Sequence, residues 1–538
     1  MVFARRSTTL LAAIIASCAM VLSLTACTSD NKTVVDGQTT VTSNSAGGVA
    51  VFTPSDGITL NQQMPLNKWA KLVPDLTKAL VDAGFKKGDI NHTTSDSLDK
   101  QSRAIQDFVV DHLSNNTTDD SGIAIAPDNM TLLVAPVVEA DASTRQYGDY
   151  VSQNLSTNDV TDEGATSDGE SSEDDSSNTE SDSTASDEQA QAVDRLVSSL
   201  KLAKESGMHV VLLGNSIEGY KPDAFVKFSD AQTIGKLQAE KMVSKLKLDK
   251  ASKDNPKYIE VLLPYTAMDE KGNANDSTFA QEAFRGIWQV LGSYYQKGVV
   301  ESPSGTLDGK STENDWQAVA YDAAKEGSTA KVLDKRLAKT DGQSTLTRID
   351  GIITMNDYIA SEVVKELDDL GYTGSAADIN PQITISGIVG NITGKKDLSR
   401  DAVPDPIKSP ENDNANDSSS SDDDADKDTS ASDKDRDSQW PLVTGYGAYV
   451  SNIPSIVNGK QWMTGMEDRQ TIATDIAQAC AKVNKDEALN SMPSIRNSEV
   501  GGVKKIPTIS EPLLAVSASN LKSALIDPGY ISLADAGL

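Results

Sequence analysis

Cysteine is scarce in this chain: three in 538 residues, with Cys18 and Cys27 near the N-terminus and Cys480 alone in the remainder. A single thiol can form neither an intrachain disulfide nor a cysteine-based zinc site. Cys480 lies in an alternating helical pattern, where a small buried apolar residue is expected rather than a reactive thiol. Histidine is equally scarce, and His92, His112 and His209 are scattered, which gives a catalytic triad or a histidine-rich zinc site little support. Aromatic residues make up 5% and hydrophobic residues 38%, both low for so long a chain. Basic residues are outnumbered, 49 against 79 acidic, for a net charge of −30. That balance repels phosphate backbones and excludes nucleic acid as a partner. No G-x-x-x-x-G-K-[ST] segment is present, so nucleotide hydrolysis is unsupported. Gly214-Asn215-Ser216-Ile217-Glu218-Gly219 has one residue too many for a nucleophile elbow. Asp433–Ser438 echoes a calcium loop but lacks its sixth-position glycine and twelfth-position glutamate. No cofactor and no metal are expected, and enzymatic chemistry ranks last.

The one long apolar run, Leu10–Leu24, follows Arg5-Arg6 and is too short and too early for an ordinary span. It reads as a secretory signal. It ends Leu24-Thr25-Ala26-Cys27, which resembles the lipobox of bacterial lipoproteins, where the cysteine becomes the lipidated first residue. Residues 1–26 are then a lipoprotein signal peptide, and residues 27–46, rich in Ser, Thr and Asn, a flexible tether. The mature chain is expected on the outer face of the cell membrane, held there by lipid.

Two acidic tracts carry net charges of −12 (residues 151–190) and −8 (residues 411–438), two thirds of the total. Both are expected to be solvated, disordered insertions, at 155–190 and 409–439. Around them the chain repeats strand, polar loop, helix. Expected strands are Gly48–Phe52, one beginning at Ile90, Thr131–Pro136, His209–Leu213, Val226–Phe228, Lys257–Leu263, Asp350–Thr354, Ile383–Ile385, Leu442–Thr444 and Leu513–Val516. Expected helices are Asn67–Ala83, Leu98–Leu113, Ala192–Ser206, one opening after a Ser229 or Asp230 cap, Phe279–Tyr295, a broken one over Asp315–Ala338, Tyr358–Leu370 and Thr471–Val483. This alternation predicts α/β architecture with right-handed crossovers: two doubly wound three-layer lobes joined by a hinge. Ligands of such sheets sit beyond the carboxyl ends of the strands.

The loops at those ends carry a likeness. Phe228-Ser229-Asp230-Ala231 with Gly235-Lys236-Leu237-Gln238-Ala239-Glu240 resembles the "SFDN…GRLQAE" segment of periplasmic sugar-binding proteins of ABC transporters. Thr354-Met355-Asn356-Asp357 is similar to their "SND", and Trp440-Pro441-Leu442-Val443-Thr444-Gly445 to their "WPIVTG". The run Gly502–Ile509 followed by Pro512–Val516 matches their ending. The shared order, from Gly48 to the end, implies the type I fold of the xylose and multiple-monosaccharide group. The resemblance implies a small polar, sugar-like ligand, an ABC permease as partner, and a monomer. It also implies the division 47–223 as N-terminal lobe, 224–460 as C-terminal lobe, 461–500 as a return to the first lobe, and 501–538 as a segment packing on the second.

The departures fall on the ligand groups. Gly447 stands where the family has an Asp, Asn215 where it has an Arg, Asn67-Lys68-Trp69 where it has "ERW", and Glu467 where it has a Lys. Sugar sites use charged planar groups that make paired hydrogen bonds, with an aromatic face against the ring. Each lost charge-assisted bond is worth about 1.5–3 kcal/mol. The candidate ligand contacts are Asp56, Trp69, Asp141, Asn215, Asn275, Asn356, Asp357 and Tyr446. Plainer roles stand beside them: turns for Asp56 and Asp141, a core position for Trp69, a helix cap for Asn356-Asp357. The expected function is a lipid-anchored solute-binding protein of an ABC importer. The alternative is a degenerate relative that serves as a surface sensor or interaction protein without uptake.

Overall fold

The computed structural model describes residues 46–55, 65–115, 125–138, 144–156, 180–268, 275–338, 346–376 and 439–538. Cys27, Asp56, Asp141, the expected strand Ile383–Ile385 and most of both acidic tracts lie outside them. The described residues belong to a single unit, residues 45–538.

Two parallel sheets organise it. The first comprises β1 (Gly48–Pro54), β2 (Ile90–Ser95), β3 (Met130–Val134), β5 (His209–Leu213), β7 (Ala224–Lys227) and a late hairpin, β15 (Ile495–Val500) with β16 (Val503–Ser510). Its order is β15-β16-β7-β5-β3-β1-β2, and only the β15–β16 pairing is antiparallel. A two-stranded parallel pair, β4 (Asn154–Leu155) with β6 (Ser216–Ile217), lies in the connections of this half. The strands are apolar on both faces, as a parallel sheet covered by helices requires. Val49, Val51, Leu133 and Val211 face α1 (Trp69–Asp82) and α10 (Arg469–Val483), meeting Leu72, Leu76, Ile472, Ile476 and Cys480. Ala50, Phe52, Leu132 and Leu212 face the other way, toward Ile105 and Val109 of α2 (Leu98–Asn115) and Leu196 and Leu200 of α3 (Glu180–Glu205).

The second sheet runs β10-β8-β12-β13, entirely parallel: β8 (Lys257–Val261), β10 (Val300–Glu301), β12 (Gly351–Ile353) and β13 (Leu442–Val443). β9 (Leu263–Pro264) pairs with β11 (Ala320–Tyr321) alongside it. Ile259, Val261 and Ile353 pack toward α4 (Ala231–Leu246) and α5 (Thr278–Gln296). Ile352 and Val443 pack toward α7 (Ser328–Arg336) and α8 (Asp357–Leu370) on the opposite face. Two short helices, α6 (Trp316–Val319) and α9 (Ile453–Val457), complete this half.

Among the described residues the chain passes between the halves three times: at Lys227–Ala231, after β14 (Met463–Met466) into α10, and from β16 into β17 (Leu514–Ser517). β14 and β17 pair antiparallel, so two crossings brace one another. At the first crossing Asp230, not Ser229, caps α4. Its carboxylate accepts from the Thr233 amide at 2.7 Å while the Thr233 hydroxyl accepts from the Asp230 amide, which closes a capping box.

Two expectations are corrected. α3 begins at Glu180, inside the stretch expected to be disordered, because extending a helix already nucleated over the apolar run costs little per residue. Residues 503–510 do not pack on the second half. They form β16, hydrogen-bonded to β7 in the first sheet, and only the chain from Leu514 onward joins Leu66, Ala448, Ile453 and Met466 in a separate cluster. The broken helix expected over Asp315–Ala338 is present as α6 and α7, with Ala320-Tyr321 between them paired to β9.

α4 and α5 approach through Gly235 and Gly286. A Cβ on Gly286 would land against the Gln232 carbonyl oxygen, and one on Gly235 against that of Ala283. Gly286→Ala is therefore expected to destabilise the protein by about 1–3 kcal/mol, the usual cost of overpacking. Urea unfolding should show a lower midpoint at unchanged slope; an unmoved midpoint would mean that the helices can part without loss.

Candidate functional site

In each sheet the order reverses beside the first strand: β2-β1-β3 in one half and β10-β8-β12 in the other. The carboxyl ends of strands at such a reversal frame the crevice of an open α/β sheet. The loops from the two halves meet there, and side chains join them directly.

The centre is the Tyr446 hydroxyl, in a residue with no exposed surface. Asn67 Nδ2 donates to it at 3.0 Å, and the Ser229 hydroxyl lies 2.5 Å away. Ser229 belongs to the first crossing, Tyr446 to the loop after β13, and Asn67 to the turn before α1. Glu467, at the second crossing, accepts from the Ser229 amide at 2.5 Å, and its own amide donates to Asn67 Oδ1 at 3.4 Å. Burial pushes the Glu467 carboxyl up to about 7, with the Asp230 and Asp468 charges adding to the rise and the hydrogen bonds from Ser229 opposing it.

Asp357 is the second buried acid. Its Oδ2 accepts from the Tyr449 amide at 2.9 Å and the Thr464 hydroxyl at 2.8 Å, and its Oδ1 accepts from Gln461 Nε2 at 2.7 Å. Burial raises it to about 6 against those donors. Asp357 thus ties the start of α8 to β14 and to the Tyr446–Tyr449 loop. Asn356 is the cap of α8: Oδ1 accepts from the Ile359 amide at 2.9 Å, and Nδ2 is left to donate to Gln146 Oε1 at 3.1 Å. Met355 and Ala448, beside these residues, hold left-handed backbone at φ 68 and φ 49, a conformation that costs non-glycine residues about 1–3 kcal/mol and collects at functional loops.

Gly447 explains one departure from the sugar-binding pattern. It sits at φ 112, its carbonyl accepts from the Leu66 amide at 2.8 Å, and an added Cβ would press on Tyr449 and Pro65. An aspartate does not fit this loop.

The remaining candidates are dispersed. Asn356, Asp357 and Tyr446 come together at the meeting of the halves. Trp69 is 3% exposed and packs edge-on against Tyr150 and Phe228, at 5.1 and 5.7 Å between ring centres, within the first half's core. Asn215 accepts from the Gln153 amide at 3.0 Å and donates to the Pro136 carbonyl at 2.9 Å, shaping its own loop. Asn275 does likewise, with Nδ2 on the Thr266 carbonyl at 2.8 Å. Sequence reasoning missed Asn67, Gln146, Tyr147, Ser229, Tyr449 and Glu467 as contacts. The cluster Gln146-Tyr147-Gly148-Asp149-Tyr150 was the available signal, a short loop unusually dense in aromatics.

The lining is amide, hydroxyl and aromatic. Lys68 is bound to Asp149 at 2.7 Å, and both buried acids are committed to donors. His92 bonds Thr53, His112 lies in the first half's core, and His209 bonds the Asp128 carbonyl, so the three do not meet. Among the described residues no three His, Cys, Asp or Glu side chains group to hold a metal, and no helix is long and apolar enough to cross a membrane.

No family model matches the chain, and no curated protein matches it. Solved structures do. An ABC transporter solute-binding protein of Clostridium phytofermentans with bound β-D-glucose is 17% identical, covers 91% of this chain and 99% of its own, and has a TM-score of 0.43. A carbohydrate transporter solute-binding protein of Chloroflexus aurantiacus in complex with D-glucose is 17% identical, with 92% and 98% covered and a TM-score of 0.43. A sugar ABC transporter protein of Actinomyces odontolyticus is 10% identical, with 89% and 97% covered and a TM-score of 0.44. Within the chain itself, two similarly ordered parallel sheets and the three crossings seen among the described residues give the doubly wound, two-lobed α/β architecture expected from the sequence.

Glu467 gives the site a pH signature. With its carboxyl raised from 4.5 to about 7, the folded chain keeps a proton that the unfolded chain releases. Its contribution is full below about pH 4.5, declines as pH rises to about 7, and is flat above. At about 1.4 kcal/mol per unit the whole decline amounts to about 3 kcal/mol. Glu467→Gln, which mimics the protonated form, should flatten the fall in melting temperature between pH 5 and 7.5. An identical slope in the variant would show that Glu467 does not titrate there.

Proposed function

We propose that the chain is an extracytoplasmic solute-binding protein of an ABC importer, anchored by lipid at Cys27 and taking a small, uncharged polar ligand of sugar type. The observation that carries this reading is the convergence of Asn67, Ser229, Asn356, Tyr446 and Tyr449 from both halves beyond the carboxyl ends of the strands. Amides, hydroxyls and rings are the groups that bind neutral hydroxylated molecules. Asp357 and Glu467 act as fixed acceptors within the scaffold, which disfavours an ionic ligand. No covalent step is expected. Hinge closure of the two halves on the ligand would present the closed form to a permease. The chain would act as a monomer, away from nucleic acid.

A second reading, that of a relative acting as a sensor or interaction protein without uptake, is favoured by the direct bonds between halves. Melting the protein against a panel of neutral and acidic sugars separates the two. A ligand at 100 times its dissociation constant stabilises by about 2.7 kcal/mol, so a binding sugar raises the melting temperature. No shift with any sugar favours the second reading.

Anchoring has its own measurement. Cys27→Ser is expected to move the protein from the membrane fraction to the soluble fraction and to abolish incorporation of labelled palmitate. Retention in the membrane would refute the anchor.

A further inference from the structure

We infer that the segment Thr144–Val151 is a built-in occupant of the cleft, which holds the two halves closed without a solute. The segment belongs by connectivity to the first half: it follows β3 and leads into β4, which pairs with β6 beside that sheet. Asp149 and Tyr150 hold it to the first half, through Lys68, Trp69 and Phe228, while Gln146, Tyr147 and Val151 reach across to the other half. Gln146 accepts twice from it, at its side-chain oxygen from Asn356 Nδ2 at 3.1 Å and at its carbonyl from the Tyr449 hydroxyl at 2.7 Å. The Tyr147 ring lies 4.7 Å from that of Phe279, at the start of α5, and 6.3 Å from that of Tyr446. Tyr147 and Val151, 1% and 5% exposed, are counted in the second half's apolar core, with Ile234, Ala280 and Phe284.

These are the contacts a solute would make: paired hydrogen bonds to cleft amide and hydroxyl groups, and a ring packed on a ring. The Tyr449 hydroxyl and one N–H of the Asn356 amide are therefore taken by the chain itself. A solute that uses them must displace Gln146 and Tyr147. This concerns regulation of the same cleft, and its consequence for affinity rests on the solute-binding reading; the closure itself does not. When only a fraction of molecules is competent to bind, the apparent dissociation constant rises by the inverse of that fraction. Weakening the occupant should then open the protein and tighten binding together.

The test places spin labels on the full chain at Lys78→Cys in α1 and Lys365→Cys in α8. Both side chains are well exposed, and Cys480 is fully buried. Without any solute, the parent should give one narrow distance distribution. Gln146→Ala with Tyr147→Ala should shift most of the population to longer, broader distances, with the helical circular dichroism unchanged. Tyr449→Phe, which removes one hydrogen bond and keeps the ring, should shift a smaller part and covers the case in which the double variant misfolds. A parent that is already broad and long, or a Tyr449→Phe protein indistinguishable from a narrow parent, overturns the inference. These distances are read without ligand. A sugar panel that shifts no melting temperature sinks the solute-binding reading and leaves them standing, while sugar binding with unchanged distances sinks only the occupant.

Discussion

The tertiary arrangement turns on one buried hydroxyl. Tyr446 hangs from the loop after β13, yet its oxygen is held by Asn67 from the first half and by Ser229 from the first crossing. Glu467 draws the second crossing into the same knot through the Ser229 amide. A buried polar group left unpaired costs about 1–3 kcal/mol. Each member is therefore fixed by the others, and separating the halves exposes all of them at once. The third crossing is braced to the second by β-pairing, so the hinge behaves as one element.

The two buried acids divide the work. Asp357 organises the second half's cleft loops and receives three donors from Tyr449, Thr464 and Gln461. Glu467 organises the hinge and receives the Ser229 amide. Burial raises both, against the donors that face each carboxylate. Glu467 is an acceptor inside the joint, and Gly447 is a backbone corner whose carbonyl receives the Leu66 amide.

Much of this architecture could be read along the chain. Strands apolar on both faces announced covered parallel sheets, and the polar residues ahead of Ala231 announced the capped start of α4. Gly371 closes α8 at φ 92, as a left-handed terminator should. Asn356 carried two readings, cap and ligand contact; the structure shows the cap at Oδ1 and gives Nδ2 to Gln146. The β15–β16 hairpin was less visible, because Arg496, Asn497, Lys504 and Lys505 give an exposed edge pair no apolar signature.

The sequence by itself determined the elements, their alternation and hence the two-sheet plan, because periodicity and capping are local and each segment declares them without its neighbours. Only the tertiary structure decided what fills the space between the sheets. Gln146 and Asn356 are 210 residues apart, Ser229 and Tyr446 217. No local pattern encodes a pairing at that range; it emerges when strands aligned in one direction bring their carboxyl ends to a common place.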